Sequence, residues 1–477
     1  MKRSTQIFFF RICTGACLLF AQLSGTSLEG QPTEPISIDV YTATALALRS
    51  NLGIELEQLS LDIKKNTKDT VYNYFYPKVS ASVKLNRLNE APSTVSTLLP
   101  YGAETPTPLG TAYDKVLPYS YTPPHRFELG TAISANLALS YSMIHGIRIA
   151  QLDYEAGRIS LETARKKVGL DVQKNFYNLL VIEESIKLAE QNLQAAITRY
   201  NQARENYLNG LVDQYTMLSA QVAVEVLKPG IVEIRNGYET ALLSFKLLLG
   251  IDLDTPIRLE GSIDPEILLF DARELSSRFL DNRLDIQRLV IAQKITDTSS
   301  KLERSNLLPV LSFLYTVDPT FSGDPFKDSW FDKDWNQRSG MFGITVSISL
   351  DNFIPGSSQQ NKIYNAQMEQ EKVGVQLAQA LQAADLEIRK TVMGLEKSAR
   401  SIEALKLNVE LAEQANQMGQ EAYRAGLKDY SQIETTEVNL QEAKVNLLKE
   451  KYNYLAGLLD LEYALNTSIE TLKGLSR

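Results

Sequence analysis

The feature that most constrains the fold is an apolar stripe that runs from about Ile147 to Tyr207 without a proline. From Ile182 onward, the steps between apolar residues alternate between four and three positions, the period of roughly 3.5 residues seen in helices that supercoil around one another. As one helix, this stretch of roughly 60 residues extends about 90 Å. Charged and amide side chains cover its other faces, so the helix cannot lie in lipid and needs helical partners along its whole length.

The charge and composition exclude several classes of function. A net charge of −8 argues against a nucleic-acid partner. The two histidines, His125 and His145, have no second His or Cys at metal-ligand spacing, so we predict no metal site. The chain has no phosphate-binding glycine loop and no Ser/His/Asp arrangement, and its acidic residues fall on helix faces as solvated charge. We therefore expect no catalysis and no cofactor.

Residues 1–25 have the pattern of a secretory signal peptide. They begin with basic residues, continue with an apolar core from Ile7 to Phe20, and end in small residues that suit a cleavage site. An alternative is lipidation at Cys17, although the residues before it lack the usual Leu. Cys13 and Cys17 are the only cysteines, so a cleaved chain could form no disulfide. No later stretch approaches about 18 uninterrupted apolar residues, so we predict an exported protein without a second transmembrane helix.

Residues 37–250 form the first of two predicted repeats, after an extended linker at residues 26–36. Helical segments lead to Pro77, after which the period of the apolar residues changes from helical to two. The repeat continues with strands at about 78–86 and 127–142, a long helix at about 146–208 and a return helix at about 213–249. About 40 residues join the two strands, a length that suits an extracellular loop. We expect Pro229-Gly230 to kink or interrupt the return helix.

The same order of elements returns in residues 271–465, after a connecting segment at residues 251–270. The second repeat has strands at about 310–317 and 341–350, a long helix at about 358–424 and a return helix at about 429–463, and residues 466–477 form a tail. Pro309 corresponds to Pro77 with a shift of 232 positions, and the stripe of the second long helix matches the first with a shift of 216. Because the turn between the helices keeps its Tyr, Gly, Leu and Asp in register, we interpret the chain as an internal duplication.

The four predicted strands alternate apolar with polar side chains, as expected when one face of a sheet meets lipid and the other meets water. A sheet that packs on a soluble core would show the same alternation. The residues that we assign to the lipid-facing side of a barrel are Val79, Val83, Leu129, Ile133, Leu137, Phe313, Tyr315, Ile344, Val346 and Ile348.

Four strands are too few to close a barrel, and an open sheet edge is not tolerated within a bilayer. Identical copies must then pool their strands, and three copies supply about twelve, which enclose an open lumen. The helices close in the same way, with the heptad stripe supporting lateral packing. The predicted fold class is mainly α with a small β component: duplicated strand pairs and long coiled-coil helices trimerise into a barrel of about 12 strands, continuous with an α-barrel of about 12 helices.

In these features the chain resembles the outer-membrane efflux (TolC-like) family. The resemblance rests on the tandem repeat and on local motifs at Asn51-Leu52, Asn282-Arg283-Leu284-Asp285, Pro77, Pro309, Tyr207-x-x-Gly210, Tyr423-x-x-Gly426 and Leu248-Leu249-Gly250. It implies a homotrimer in the outer membrane of a diderm bacterium, in contact with outer-membrane lipid and with a long periplasmic extension. It also implies docking to a periplasmic adaptor (membrane fusion) protein that works with an inner-membrane pump.

The resemblance further implies which residues meet these partners, because the family's adaptor contact and gate lie at the tips of the helical hairpins. Carried over to this chain, the tip residues are Tyr207, Gly210, Leu211, Asp213, Tyr423, Gly426, Leu427, Lys428, Asp429 and Ser431. Acidic rings constrict the tunnel in some members of the family. Gln432 and Thr435 occupy the corresponding positions here, with Glu434 and Glu437 nearby, so these four residues are the candidates for a tunnel constriction.

The predicted function is a passive export duct of a tripartite efflux or type I secretion system. In this hypothesis the channel carries substrates from the adaptor and pump to the outside and catalyses nothing. Two alternatives stay open. One is a trimeric porin that works without a pump, and the other is a structural coiled-coil protein of the envelope whose strands form a soluble sheet.

Overall fold

A computed structural model of the protein describes residues 36–87, 95–107, 110–121, 127–322, 340–425 and 430–474. The predicted signal peptide, with the lipidation candidate Cys17, lies outside the described residues. Among the helices that are described, none combines the length and the apolar character needed to cross a membrane.

The described residues of the first repeat contain five strands and four α-helices. They are β1 (Ile36–Ile38), α1 (Val40–Ser50), α2 (Leu52–Thr70), β2 (Lys78–Arg87), β3 (Val95–Thr107), β4 (Gly110–Tyr121), β5 (Phe127–Leu139), α3 (Ser142–Leu208) and α4 (Gln214–Leu249).

The connecting segment and the second repeat supply the remaining described elements. They are β6 (Ile257–Leu259), α5 (Ala272–Phe279), α6 (Leu284–Ser305), β7 (Val310–Val317), β8 (Thr320–Ser322), β9 (Gly340–Ser347), α7 (Ser358–Arg424), α8 (Tyr430–Leu465) and α9 (Ile469–Lys473).

The internal repeat is visible in the bounds and caps of the helices. The long helices α3 and α7 each have 67 residues and the return helices α4 and α8 each have 36, and adding 216 to the bounds of the first pair gives those of the second. Past the ends of α4 and α8, the equivalent residues Gly250 and Asn466 both have positive φ values, of 70° and 52°. An aspartate caps both α1 and α5, Asp39 and Asp271, with a shift of 232.

Strands β2, β5, β7 and β9 form one antiparallel sheet in that order, and β8 pairs with the far end of β5. Nine of the ten residues predicted to face lipid lie in these strands, and the register places them on one face of the sheet. Val79, for example, lies opposite Ala135, and Phe313 lies between Leu137 and Ile344. Within the described residues, β2 pairs only with β5 and β9 only with β7, so both outer edges of the sheet are open.

Four helices lie side by side at every level below the sheet. In the half nearer the sheet, the contacts run from α2 to α3, then α6, then α7. In the half nearer the helical tips, they run from α4 to α3, then α8, then α7. The long helices therefore belong to both halves, and the described helices form one four-helix layer with two free edges.

Each repeat has its own hydrophobic core, where the return helix packs on the long helix. In the first repeat, Val172 and Phe176 of α3 pack with Phe245 and Leu249 of α4 and with Ile38 of β1. The second core contains the residues at a shift of 216 from the first four, which are Ile388, Val392, Leu461 and Leu465. Its Tyr454 hydroxyl accepts from the Leu268 N–H at 2.7 Å and donates to the Leu268 carbonyl at 3.0 Å, which ties the connecting segment to α8.

Several predicted strand bounds are wrong. Residues 140–142 do not continue β5, because the Met143 and Ile144 N–H groups bond back to the carbonyls of Ser140 and Tyr141 and start α3. Residues 348–350 do not continue β9, because a 3₁₀ turn occupies Leu350–Phe353. Ile348, assigned to the lipid-facing side, thus lies just beyond the strand.

Two further expectations about the first repeat need correction. The predicted loop between its strands contains a hairpin of its own, in which β3 pairs with β4. Of the kink or interruption expected at Pro229-Gly230, the interruption is absent, since α4 is continuous from Gln214 to Leu249. Pro229 and Gly230 are exposed, so the carbonyl that loses its hydrogen bond can meet water, and buried Val224 and Ile231 hold the helix on both sides.

Candidate functional site

The turn between α3 and α4 forms the first helical tip. The Gly210 N–H donates to the Tyr207 carbonyl at 2.9 Å and the Leu211 N–H donates to the Asn206 carbonyl at 2.8 Å, which is the Schellman pattern of a helix end. Gly210 has a φ of 71°, a value that glycine adopts without strain. The turn predicted between the long helix and the return helix is therefore present.

Asp213 fixes the start of the return helix at this tip. Its carboxylate accepts from the Thr216 hydroxyl at 2.6 Å and from the Thr216 N–H at 2.9 Å, as an N-cap residue does. These hydrogen bonds hold the pKa of the Asp213 carboxyl below its usual value. The group therefore carries its negative charge at the positive end of α4 throughout the neutral pH range.

The first tip presents apolar side chains to solvent. Leu208, Leu211 and Tyr215 are each about two-thirds exposed or more, and Tyr207 is 36% exposed. Apolar groups displayed together on a rigid turn are suited to contact another protein. Of the predicted tip residues, the structure brings Tyr207, Gly210, Leu211 and Asp213 together here.

The second tip is only partly described. Gly426, Leu427, Lys428 and Asp429 lie outside the described residues, and Ser431 is placed in α8 by its backbone alone. Tyr423, at the end of α7, is half-buried and packs with Tyr200 against Ala203 and Ala220 of the first repeat. This tyrosine therefore joins the two tips of one chain, a contact that the sequence pattern did not reveal.

The four candidate constriction residues differ in their surroundings. Gln432, Glu434 and Thr435 are exposed in one chain. The side chain of Glu437 is only 13% exposed and forms an ion pair with Arg199 of α3. The sequence pattern does not predict this ion pair, because no local pattern links Arg199 to a residue so far along the chain.

A second set of charges lies between the two cores. Lys174 of α3 donates to both carboxylate oxygens of Asp460 in α8, at 2.5 and 2.6 Å. The side chain of Arg283, before α6, is 9% exposed and bonds to Asp285 and to Glu387 of α7. Burial raises the pKa of Asp285, but the hydrogen bonds and charge of Arg283 outweigh this effect, and the pKa lies below its usual value.

A groove runs along the tip half of the chain between α4 and α8, with α3 as its floor. Two adjoining cavities of about 470 and 690 Å³ make up the groove and share Asn192, Val226 and Leu227. Among the described residues, no cluster of histidine, cysteine and acidic side chains has the arrangement needed to hold a metal ion. The candidate functional features of the described residues are therefore the groove, the helical tips and the ion-paired helices.

The tandem repeat matches one known family in both of its copies. The family model for the outer membrane efflux protein matches residues 69–251 and again residues 275–467. The chain belongs to this family. It is an outer-membrane efflux channel with a long periplasmic extension and not an enzyme. The predicted family, the mainly α fold class with a small β component, and the outer-membrane location are confirmed.

Solved structures of outer-membrane channels share the fold at low sequence identity. The Campylobacter jejuni CmeC outer membrane channel is 16% identical, with a TM-score of 0.70 over 89% of this chain and 85% of that chain. The Vibrio cholerae outer membrane protein VceC is 15% identical, with a TM-score of 0.68 over 90% of this chain and 96% of that chain. The open state of the Neisseria gonorrhoeae MtrE outer membrane channel is 16% identical, with a TM-score of 0.66 over 90% of this chain and 89% of that chain. A search of curated proteins finds no match.

Proposed function

We propose that three copies of the chain form one continuous duct, with a barrel of about twelve strands above a tube of about twelve helices. The observation that carries this proposal is the open sheet. Strand β2 runs antiparallel to β9, so β9 of one copy can pair with β2 of the next and continue the alternation of directions. A ring closed in this way leaves no strand edge in lipid.

The free edges of the helical layer support the same assembly. Apolar residues at helical spacing along α2 are each more than half exposed, and they are Leu52, Leu56, Leu59 and Ile63. The opposite face of α2 meets α3, through buried Ile54 and through Leu61 beside Gly157. A helix that is apolar on two opposite faces fits between two neighbours in a tube, and here only one neighbour belongs to the same chain.

The other free edge, on α7, also displays apolar side chains along its length. The most exposed of them are Tyr364, Val375, Leu386, Met393, Leu407 and Met418. A neighbouring copy is the occupant that suits both edges, because α7 is the last helix of the layer on one side and α2 and α4 are the last on the other. Head-to-tail contacts of this kind close into a ring.

The duct would serve a tripartite efflux or type I secretion system. In this proposal a periplasmic adaptor binds the tips, and an inner-membrane pump drives substrates through the channel. The exposed apolar tip residues and the rigid turn at Gly210 support such a contact. In this proposal, adaptor binding changes the contacts of the predicted tip residues and of the nearby constriction candidates Gln432, Glu434 and Thr435.

The proposed trimer can be tested by purifying the mature protein from outer membranes in detergent and measuring the mass of the particle. We expect a trimer that conducts ions in planar lipid bilayers. A monomer that stays soluble without detergent would favour the structural envelope protein and contradict the duct.

The orientation of the channel in the outer membrane and its contact with an adaptor can both be tested at Leu211. A membrane-impermeant maleimide should leave Leu211→Cys unlabelled in intact cells and should label Thr107→Cys, in the hairpin of β3 and β4, where the sequence predicts an extracellular loop. Labelling of Leu211→Cys from outside would invert the topology. A photo-crosslinking amino acid at Leu211 should capture a periplasmic adaptor, and a conducting trimer that captures none would favour the pump-independent porin.

A further inference from the structure

The hairpin of β3 and β4 forms a sheet of its own, which no other described strand extends. Residues 88–94 separate β2 from β3 and residues 122–126 separate β4 from β5, so the hairpin follows closely on the ladder of β2 with β5. Its strands have 13 and 12 residues and extend about 40 Å. A two-stranded hairpin alone is at best marginally stable in water, so this one needs a surface to pack on.

Prolines block both edges of the hairpin. Pro100 and Pro106 lie in β3, and Pro118 lies in β4. A proline has no N–H group to donate to another strand, and prolines in an edge strand prevent that edge from pairing further. The hairpin is therefore suited to association through one of its faces and not through an edge.

One face of the hairpin is apolar and aromatic. In the register of β3 with β4, residues two positions apart along a strand share a face. The large residues on one face, called here the aromatic face, are Val95, Leu99, Tyr101, Leu117, Tyr119 and Tyr121. On the other face Ser96 lies opposite Ser120, and Pro118 interrupts the apolar pattern. A concentration of large apolar residues on one exposed face indicates a site of contact with another molecule.

The proposed trimer supplies an occupant for the aromatic face. A barrel of about twelve strands, spaced about 4.8 Å apart and tilted by about 40°, is about 25 Å across, so its axis lies about 12 Å from each strand. Hairpins about 40 Å long that rise from one rim can therefore reach one another. Because the ring holds them together, they meet at an effective concentration of the order of millimolar, which favours them over a separate extracellular partner.

We propose that the aromatic faces of the three hairpins pack against one another above the barrel and narrow its outer mouth. Lys115 is the charged residue on this face and lies opposite Tyr101, toward the far end of the hairpin. The contact is therefore centred nearer the barrel, around Leu99, Leu117 and Tyr119. The inference rests on the proposed trimer and goes beyond it, because a trimer can also form with its hairpins apart.

The contact is tested first by disulfide crosslinking of purified trimers with one cysteine introduced in each copy. Tyr119→Cys places three equivalent cysteines on the aromatic face around one axis, and mild oxidation should join two of them into a covalent dimer on denaturing gels. The matched variant Ser120→Cys places them on the other face and should stay at monomer mass. Trimers that give no covalent dimer from Tyr119→Cys, or equal amounts from both variants, would overturn the proposal and favour an occupant outside the trimer, such as lipopolysaccharide.

The narrowing of the mouth is then measured with a cysteine inside the barrel. Lys84 lies opposite Gly130 on the polar face of the sheet. A maleimide on a bulky polyethylene glycol chain should label Lys84→Cys slowly in intact cells. Adding Leu117→Glu brings like charges together between the hairpins and should raise this labelling rate at least about tenfold.

The control for this measurement is Ser120→Glu, which adds the same charge to the other face and should leave the labelling rate of Lys84→Cys unchanged. Fast labelling that is equal with and without Leu117→Glu would show that the hairpins stand apart and leave the mouth open. Wild-type protein that forms no trimer in detergent would instead refute the proposed duct itself.

Discussion

At the scale of single residues, the duplication places the same backbone requirement on different side chains. Gly250 and Asn466 both end a return helix with a positive φ, yet only Gly250 is confined, because a Cβ built there would lie 2.3 Å from the Ser50 carbonyl oxygen. Asparagine tolerates this conformation where space permits. A shared turn geometry therefore does not mean that the two positions accept the same residues.

Gly250→Ala should destabilise the protein, because the new Cβ would clash with the backbone between α1 and α2 and adopt a strained φ. We expect a loss of about 1–3 kcal/mol. The matched variant Gly230→Ala adds the same methyl group to an exposed helical position with nothing within 4 Å, and should stabilise by up to about 1 kcal/mol. Thermal unfolding followed by circular dichroism in detergent measures both, and equal effects of the two variants would contradict the account of Gly250.

The ion pair at Asp285 should make stability depend on pH. Because Arg283 lowers the pKa of this carboxyl, its contribution is complete above the ordinary aspartate pKa of about 4 and is lost as pH falls through the lower, folded-state value. Asp285→Asn should therefore unfold at a lower temperature than the wild type at pH 7. The difference between their unfolding temperatures should disappear at acidic pH.

The control for this prediction is Asp281→Asn, at an exposed position in the preceding turn. At pH 7 the unfolding temperature of Asp281→Asn should match that of the wild type. A gap between Asp285→Asn and the wild type that stays constant down to pH 3 would show that the Arg283 pair does not titrate as described.

At the scale of elements, local periodicity predicted the long helices, the repeat and the shared apolar face of the strands. These features are repeated along continuous stretches, so many residues report on each of them. The ion pair of Arg199 with Glu437 and the packing of Tyr423 on Ala203 could not be predicted, since each joins residues far apart in sequence and leaves no local pattern. The hairpin of β3 and β4 was missed because its proline-rich strands resemble a loop.

The orientation of the strands is a prediction that two neighbouring residues can test. Ile133→Lys places a charge on the apolar face of β5 and should reduce assembly in the outer membrane. If the site is near the middle of the bilayer, the variant should destabilise the folded barrel by about 2–4 kcal/mol. Ser134→Lys places the same charge on the other face, opposite Ser80 and Thr316, and should be tolerated. The amount of folded protein in outer-membrane extracts measures both, and equal effects would show that the face is wrongly assigned.

At the scale of the whole molecule, the proposed trimer places two repeats in each of three copies and so produces a ring of six similar units. The ring has two kinds of contact, within a chain and between chains, that share a backbone arrangement and can diverge in sequence. In this proposal the apolar stripe of α2 belongs to the second kind, because in one chain it faces solvent while the opposite side of the helix packs on α3. Burial of these side chains between copies would stabilise the trimer and leave the fold of each chain unaffected.

Leu59→Glu should weaken the trimer for this reason. The wild-type leucine is 53% exposed in one chain, and a buried leucine contributes about 1.5–3 kcal/mol, a contribution that is repeated at each of the three subunit contacts. Ser60→Glu adds the same charge one residue later, about a quarter-turn away from the stripe, and should leave the trimer intact. Native mass measurements across a dilution series give the trimer fraction of each variant. Because α2 is held on α3 by its other face, the Leu59→Glu variant should keep the helical content of the wild type while its trimer dissociates. Equal dissociation of both variants would show that the stripe is not part of the subunit contact.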